Sequence, residues 1–251
     1  MPESTSAYFL QHPQPSRTEP SKSRLWAAVL PALVVPLLAS LIYFVFFPGT
    51  WFGKACFALV KIHLIAWPII ATIFILKESL SRPAPTWKTR FHTLIPGVLI
   101  GVTVVASMFA LMLTPLGDIV RASGGSIKDK VEDLGMLKHY IEFSIFISLF
   151  NSLIEECYWR WFAYGTLRRL MPRTWAHILA ALAFSAHHIV VVSQFFPLSF
   201  ALFVGFSVGV GGLIWSLMYQ KYNTILGPWV CHIIIDAGFL WIVYDLFFRD
   251  V

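Results

Sequence analysis

Charge is what this chain has least of. Only 13% of its 251 residues are Asp, Glu, Lys or Arg, whereas 57% are hydrophobic and 22 are Phe and 10 Trp. Soluble domains carry about 25% charged residues, so this balance excludes an ordinary soluble domain and implies a polytopic membrane protein. Cysteine is scarce too: Cys56, Cys157 and Cys231 all lie in apolar segments and none belongs to a CxxC pair, which excludes a disulfide framework and a zinc knuckle. There is no glycine-rich phosphate loop, no dinucleotide fingerprint, no HExxH helix and no internal repeat, so no nucleotide is called for. A net charge of +6 does not argue for nucleic acid either, because the basic residues sit at the ends of apolar runs, where they act as topology signals.

What is present is a succession of apolar runs. Seven are long enough to span a bilayer core, which needs about 20 residues: Leu25 to Phe47, Phe52 to Leu76, Thr93 to Thr114, His139 to Thr166, Thr174 to Phe195, Leu198 to Tyr219 and Thr224 to Phe247. They predict an all-α fold, a transmembrane helix bundle of about seven spans over residues 25–247. Residues 1–24, polar and rich in Pro and Ser, read as a disordered cytoplasmic tail. Gly205, Gly209, Gly211 and Gly212 in the sixth run allow close helix approach.

Loop charges orient the bundle. Arg17, Lys22 and Arg24, then Lys77, Arg82, Lys88 and Arg90, then Arg168, Arg169 and Arg173, and finally Lys221 all fall on one side if the amino terminus is cytoplasmic. The loop from Pro115 to Lys138 has mixed charge, with Gly124 and Gly125 and a short amphipathic helix, and is tolerable outside. The reading is an integral, multi-pass protein of a bacterial inner membrane with its amino terminus inside and its carboxyl terminus outside.

Three charges interrupt the fourth run: Glu155, Glu156 and Arg160. A charge at the centre of a membrane helix costs roughly 2.5 to 3.5 kcal/mol, so three in six residues need a reason. Glu156 and Arg160 are four apart and can pair, which leaves Glu155, about 100 degrees round the helix, without a local partner. The plainer reading is internal glue between packed helices. Two further polar clusters are His187 and His188 in the fifth run, and His232 and Asp236 in the seventh. Counted from the basic ends at about 1.5 Å per residue, Glu155, His188, His232 and Asp236 all lie roughly 12 to 21 Å deep. Three separate helices thus bring acid and histidine to a similar level, between the fourth, fifth and seventh spans. Lys61 and His63 in the second run form a weaker polar pair, for which a snorkelling lysine is the plainer account.

Such a set can support hydrolysis. A carboxylate in a dry pocket, beside a histidine, can hold a water and take its proton as the water attacks a carbonyl, while a second histidine stabilises the oxyanion. Glu155, His188 and His232 could instead bind zinc.

The ordered motifs Glu155-Glu156-x-x-x-Arg160, Phe184-x-x-x-His188 and His232-x-x-x-Asp236 resemble those of the CPBP family of intramembrane proteases, which includes CAAX proteases and bacteriocin-processing enzymes. The resemblance covers a core of about 139–247. It implies an intramembrane endopeptidase in which Glu155 activates water, His188 helps to hold it, His232 and Asp236 face the oxyanion, and Glu156 with Arg160 supports the first motif. Asp236 stands where the eukaryote-like CAAX enzymes carry Asn, and only the spacing from Phe184 selects His188 over His187. A metal-free, glutamate-type mechanism is the favoured form, with zinc as the alternative cofactor. The implied partners are the bilayer and a membrane-embedded or lipid-anchored protein or peptide: a prenylated protein, a bacteriocin or pheromone leader, or a carboxyl-terminal sorting tail. A non-catalytic scaffold or a transporter relaying protons is the competing class. Tyr158, Trp159, Trp161, Phe162 and Trp175 could line an entry groove, although an interfacial aromatic belt is the plainer expectation.

Overall fold

The computed structural model describes residues 19–80, 85–133 and 137–248. Most of the expected tail, together with Arg17 and Arg82, therefore lies outside the described residues. Among the described residues every regular element is helical. The helices are α1 (Lys22–Phe46), α2 (Trp51–Ile75), α3 (Trp87–Met112), α4 (Pro115–Asp133), α5 (140–167), α6 (Arg173–Val192), α7 (Leu198–Tyr222) and α8 (Leu226–Phe248). The protein is an all-α, multi-pass integral membrane protein.

The boundaries follow from local chemistry. Ser21, Thr50 and Thr86 cap α1, α2 and α3, their hydroxyls accepting the N–H groups of Arg24, Gly53 and Thr89. Pro172 and Pro197 precede α6 and α7, whereas Asn223, in the left-handed conformation, ends α7. Thr86 moves the start of α3 ahead of the expected Thr93, since polar residues of a first turn escape a reading based on apolar runs.

Six helices, α1 to α3 and α6 to α8, are long and apolar enough to cross a membrane. The fourth of the seven expected spans, α5, is not among them, and it carries Glu142, Glu155, Glu156 and Arg160. It nevertheless runs the length of the bundle. At one end the Tyr140 hydroxyl donates to the carbonyl of Leu240 at 2.8 Å, near the carboxyl end of α8. At the other, the Tyr164 hydroxyl donates to Gln220 Oε1 at 2.5 Å, at the end of α7. Its amino-terminal half turns Ile141, Ile145, Phe146 and Phe150 outward, and its carboxyl-terminal half buries Tyr158, Trp159, Arg160, Phe162, Ala163 and Tyr164. Two stretches of α5, Ile147–Asn151 and Cys157–Tyr164, are π-helical and flank Ser152–Glu156. Such widened turns re-aim the residues between them.

The mixed-charge loop holds a 19-residue amphipathic helix, α4, longer than the short one expected. Its Lys128 Nζ donates to the carbonyl of Phe247 at 3.1 Å, so α4 lies against the carboxyl end of α8. The opposite, basic end is fastened by Arg169, which donates to both carboxylate oxygens of Glu78 at 2.8 and 3.2 Å.

Glycine sets the helix spacing at two places. A Cβ on Gly97 of α3 would collide with the carbonyl of Gly227 of α8, and one on Gly205 of α7 would strike the Ile189 side chain of α6. The close approach expected of α7 is therefore made, against α6. The aromatic belt is corrected: Tyr158, Trp159 and Phe162 are core residues, 0 to 2% exposed, and of that set only Trp175 is well exposed, at 62%. Their outward-facing neighbours on α5 lie in its first half, and the π turns of the second half roll these rings inward.

Candidate active site

The polar centre is assembled on the buried half of α5. Glu156 and Arg160 are 0% and 1% exposed, and Arg160 Nη1 lies 3.1 Å from Glu156 Oε1, as the four-residue spacing suggests. The guanidinium is held mainly by its faces, with its carbon 4.5 Å from the centre of the Phe184 ring and 4.7 Å from that of Trp215. Gly212 leaves the space for this, since Phe184 and Arg160 both come within van der Waals reach of the position a Cβ would take. Removing this cation would strand a carboxylate in a dry core.

Glu156 has a second task that the sequence did not reveal. The same Oε1 accepts a hydrogen bond from Nδ1–H of His232 at 2.9 Å. The His232 ring is also stacked on Trp215, centroids 4.4 Å apart and planes inclined by 22 degrees. Bond and stack together fix the ring so that Nε2 faces Glu155, 3.9 Å from Oε2, and Asp236, 3.6 Å from Oδ1. Glu155, His232 and Asp236 are thus brought together from α5 and α8, as expected. Trp215 gave no signal in the sequence, being one aromatic in an apolar helix.

Glu155 does have a local partner. Asn151, one turn earlier, donates from Nδ2 to Glu155 Oε1 at 2.8 Å, and Asn151 Oδ1 accepts from Lys61 Nζ of α2 at 3.0 Å. The amide therefore holds one carboxylate oxygen and leaves Oε2 to the His232 side. An Asn four residues before the acid was the available clue. Lys61 and His63 make separate contacts: His63 Nε2 is 3.1 Å from the Tyr158 hydroxyl, which itself donates to the carbonyl of Ala32 at 2.9 Å.

His188 reaches the same region from α6. Its Nδ1–H donates to the carbonyl of Phe184 at 2.8 Å, so in the neutral ring Nε2 is the acceptor. His187 stacks on Trp159 at 5.7 Å, and both histidines border the cavity that Glu155 enters. That cavity, about 210 Å³, is walled by α1, α2, α5 and α6. The polar side chains along it are Ser40, Lys61, Glu155, His187 and His188, and the remaining walls are apolar. The first two helices were not expected to take part.

The zinc donor set would be Glu155, His188 and His232. Among the described residues no three His, Cys, Asp or Glu side chains are arranged to hold a metal ion. His232 and His188 each anchor Nδ1, on Glu156 and on the Phe184 carbonyl, and keep Nε2 for a water or a metal.

Fold and cluster define a class: a polytopic helical membrane protein with a buried acid–histidine centre beside a cavity. Residues 138–238 match the family model described as Type II CAAX prenyl endopeptidase Rce1-like, a match to a CPBP/CAAX protease family over that stretch. No curated protein and no solved structure matches the chain.

Proposed function

We propose that the protein is an intramembrane endopeptidase that hydrolyses a peptide bond of a membrane-embedded or lipid-anchored substrate of the CAAX or sorting-tail kind. The observation that carries this reading is that Glu155 and His188 border one cavity while the second oxygen of Glu155 faces His232 Nε2. A water at this position donates one hydrogen to Glu155 and the other to His188 Nε2. As its oxygen bonds to the substrate carbonyl carbon, Glu155 takes the proton. The carbonyl oxygen becomes an oxyanion, and His232, as the imidazolium with its Nδ1–H on Glu156, donates its Nε2–H to it. Asp236, 3.6 Å from that nitrogen, orients the ring rather than meeting the oxyanion itself. Collapse breaks the C–N bond, and the proton on Glu155 passes to the leaving amine.

Glu156 and Arg160 hold His232 from behind, so their part is support. The reaction is written without a metal. The basic end of the bundle is placed in the cytoplasm, which puts the site nearer that face.

The test is cleavage of a farnesylated CAAX-type peptide by purified protein in detergent, comparing the wild type with Glu155→Gln, each with and without a strong chelator. The expected result is a loss of about 10²- to 10⁴-fold in the variant and none in the chelator. Loss in chelator would transfer the water to a metal, and equal cleavage by the variant would remove Glu155 from the chemistry.

A further inference from the structure

Lys61 is the cation that the proposed chemistry leaves unused. It stands ten residues after Trp51 and fourteen before Ile75 in α2, roughly 15 and 21 Å from the helix ends. Both distances exceed the reach of a lysine side chain, so the ammonium, although Lys61 is exposed, stays at the level of the apolar middle of α2. Among the described residues no carboxylate lies within ion-pair distance of it. Its contacts are the neutral Asn151 amide at 3.0 Å and the face of Phe57, 5.5 Å from the ring centre. Its direct contacts are neutral, and the carboxylate beyond the Asn151 amide, that of Glu155, also faces His232, so the ammonium can take a further counter-charge. Lys61 also borders the cavity that Glu155 enters. Of the three donors on its ammonium, one serves Asn151, and the others remain for a ligand.

We propose that Lys61 is the specificity residue that binds a carboxylate of the substrate, its own carboxyl terminus, inside the membrane cavity. This rests on the endopeptidase reading. The Asn151 amide separates the two groups, so Lys61 Nζ lies at most about 8 Å from Glu155 Oε1. An extended chain covers about 3.3 to 3.6 Å per residue, so a terminus on Lys61 sets the attacked bond two or three residues from the end. The same amide ties the recognition group to the catalytic carboxylate, and a substrate whose chain continues past the cavity has no carboxylate to offer there.

Three farnesylated peptides of one sequence test the proposal: the free acid, the carboxamide, and a carboxamide with Glu as its last residue. Binding is measured to Glu155→Gln protein, which holds substrate without turning it over, in the Lys61, Lys61→Arg and Lys61→Met backgrounds. The free acid is expected to bind roughly tenfold or more tighter than the carboxamide with Lys61 or Arg, and equally with Met. Tighter binding of the Glu-bearing carboxamide than of the free acid would assign the site to a side-chain carboxylate and overturn the terminus. Equal binding of acid and carboxamide to the Lys61 protein, a preference that survives Lys61→Met, or no saturable binding of any peptide would overturn the proposal altogether. Binding without turnover separates this outcome from failure of the endopeptidase reading, which is decided by cleavage with intact Glu155.

Discussion

At the residue scale the centre is a chain of carboxylates, each given a different neighbour. Glu156 faces Arg160 and His232, and Glu155 faces Asn151 and the cavity. Arg160→Met should therefore cost about 3 to 5 kcal/mol, because it leaves the Glu156 charge buried without its cation. A double change, Glu156→Gln with Arg160→Met, should recover part of that loss, which thermal unfolding in detergent would show. It should not recover cleavage, since His232 Nδ1 would then face a neutral amide in place of its carboxylate. The motif residues themselves were legible because charge is so rare in apolar runs that each one stands out. Asn151, Lys61 and Trp215 were harder to read: an amide, a lysine and an indole have ordinary explanations in a membrane helix, and only packing reveals what they touch.

At the element scale the helices are placed by small residues and widened turns. Gly97 is the point where α3 rests on α8, and Gly125 on α4 has open space around it. Gly97→Leu should force the two helices apart, lowering the midpoint of thermal unfolding by several degrees and loosening His232 on α8. Gly125→Ala should leave cleavage unchanged and raise stability slightly, by up to about 1 kcal/mol, so the pair separates the effect of a side chain at the crossing from that of losing a glycine. The crossing at Gly97 was not foreseen, although Gly97 and Gly101 stand four apart in α3 and both face α8, the small-xxx-small signal of a close neighbour; only the cluster in α7 was read that way. The π turns of α5 had no signature in the sequence. They are why rings expected at an interface, Tyr158 and Trp159 among them, lie instead in the core.

At the scale of the whole molecule, the polar ends sort the chain into two faces. Arg169 and Glu78 clasp one end, whereas α4 lies against the end of α8 at the other. In protein lacking its native cysteines, a cysteine at Lys22 or Lys221 should react with an impermeant maleimide only after the membrane is opened, and one at Ser126 of α4 should react in intact cells. Labelling at Lys221 from the same side as Ser126 would require an even number of crossings between those two and remove α5 from the count. Bundle class and the order of the helices were readable because apolar length records them directly. The count was less so, because α5 crosses the bundle in the company of charges. That company has a consequence for how the protein is made. A segment with Glu155, Glu156 and Arg160 at its heart is a poor guest for lipid when it leaves the ribosome, and its helpers Trp215 and His232 have yet to be translated. At 5 to 20 residues per second they follow several seconds later. Until then α5 must wait at the insertion machinery or at the bilayer surface, so a nascent chain halted before α8 should hold every apolar helix made so far in the membrane while its central one has still to settle.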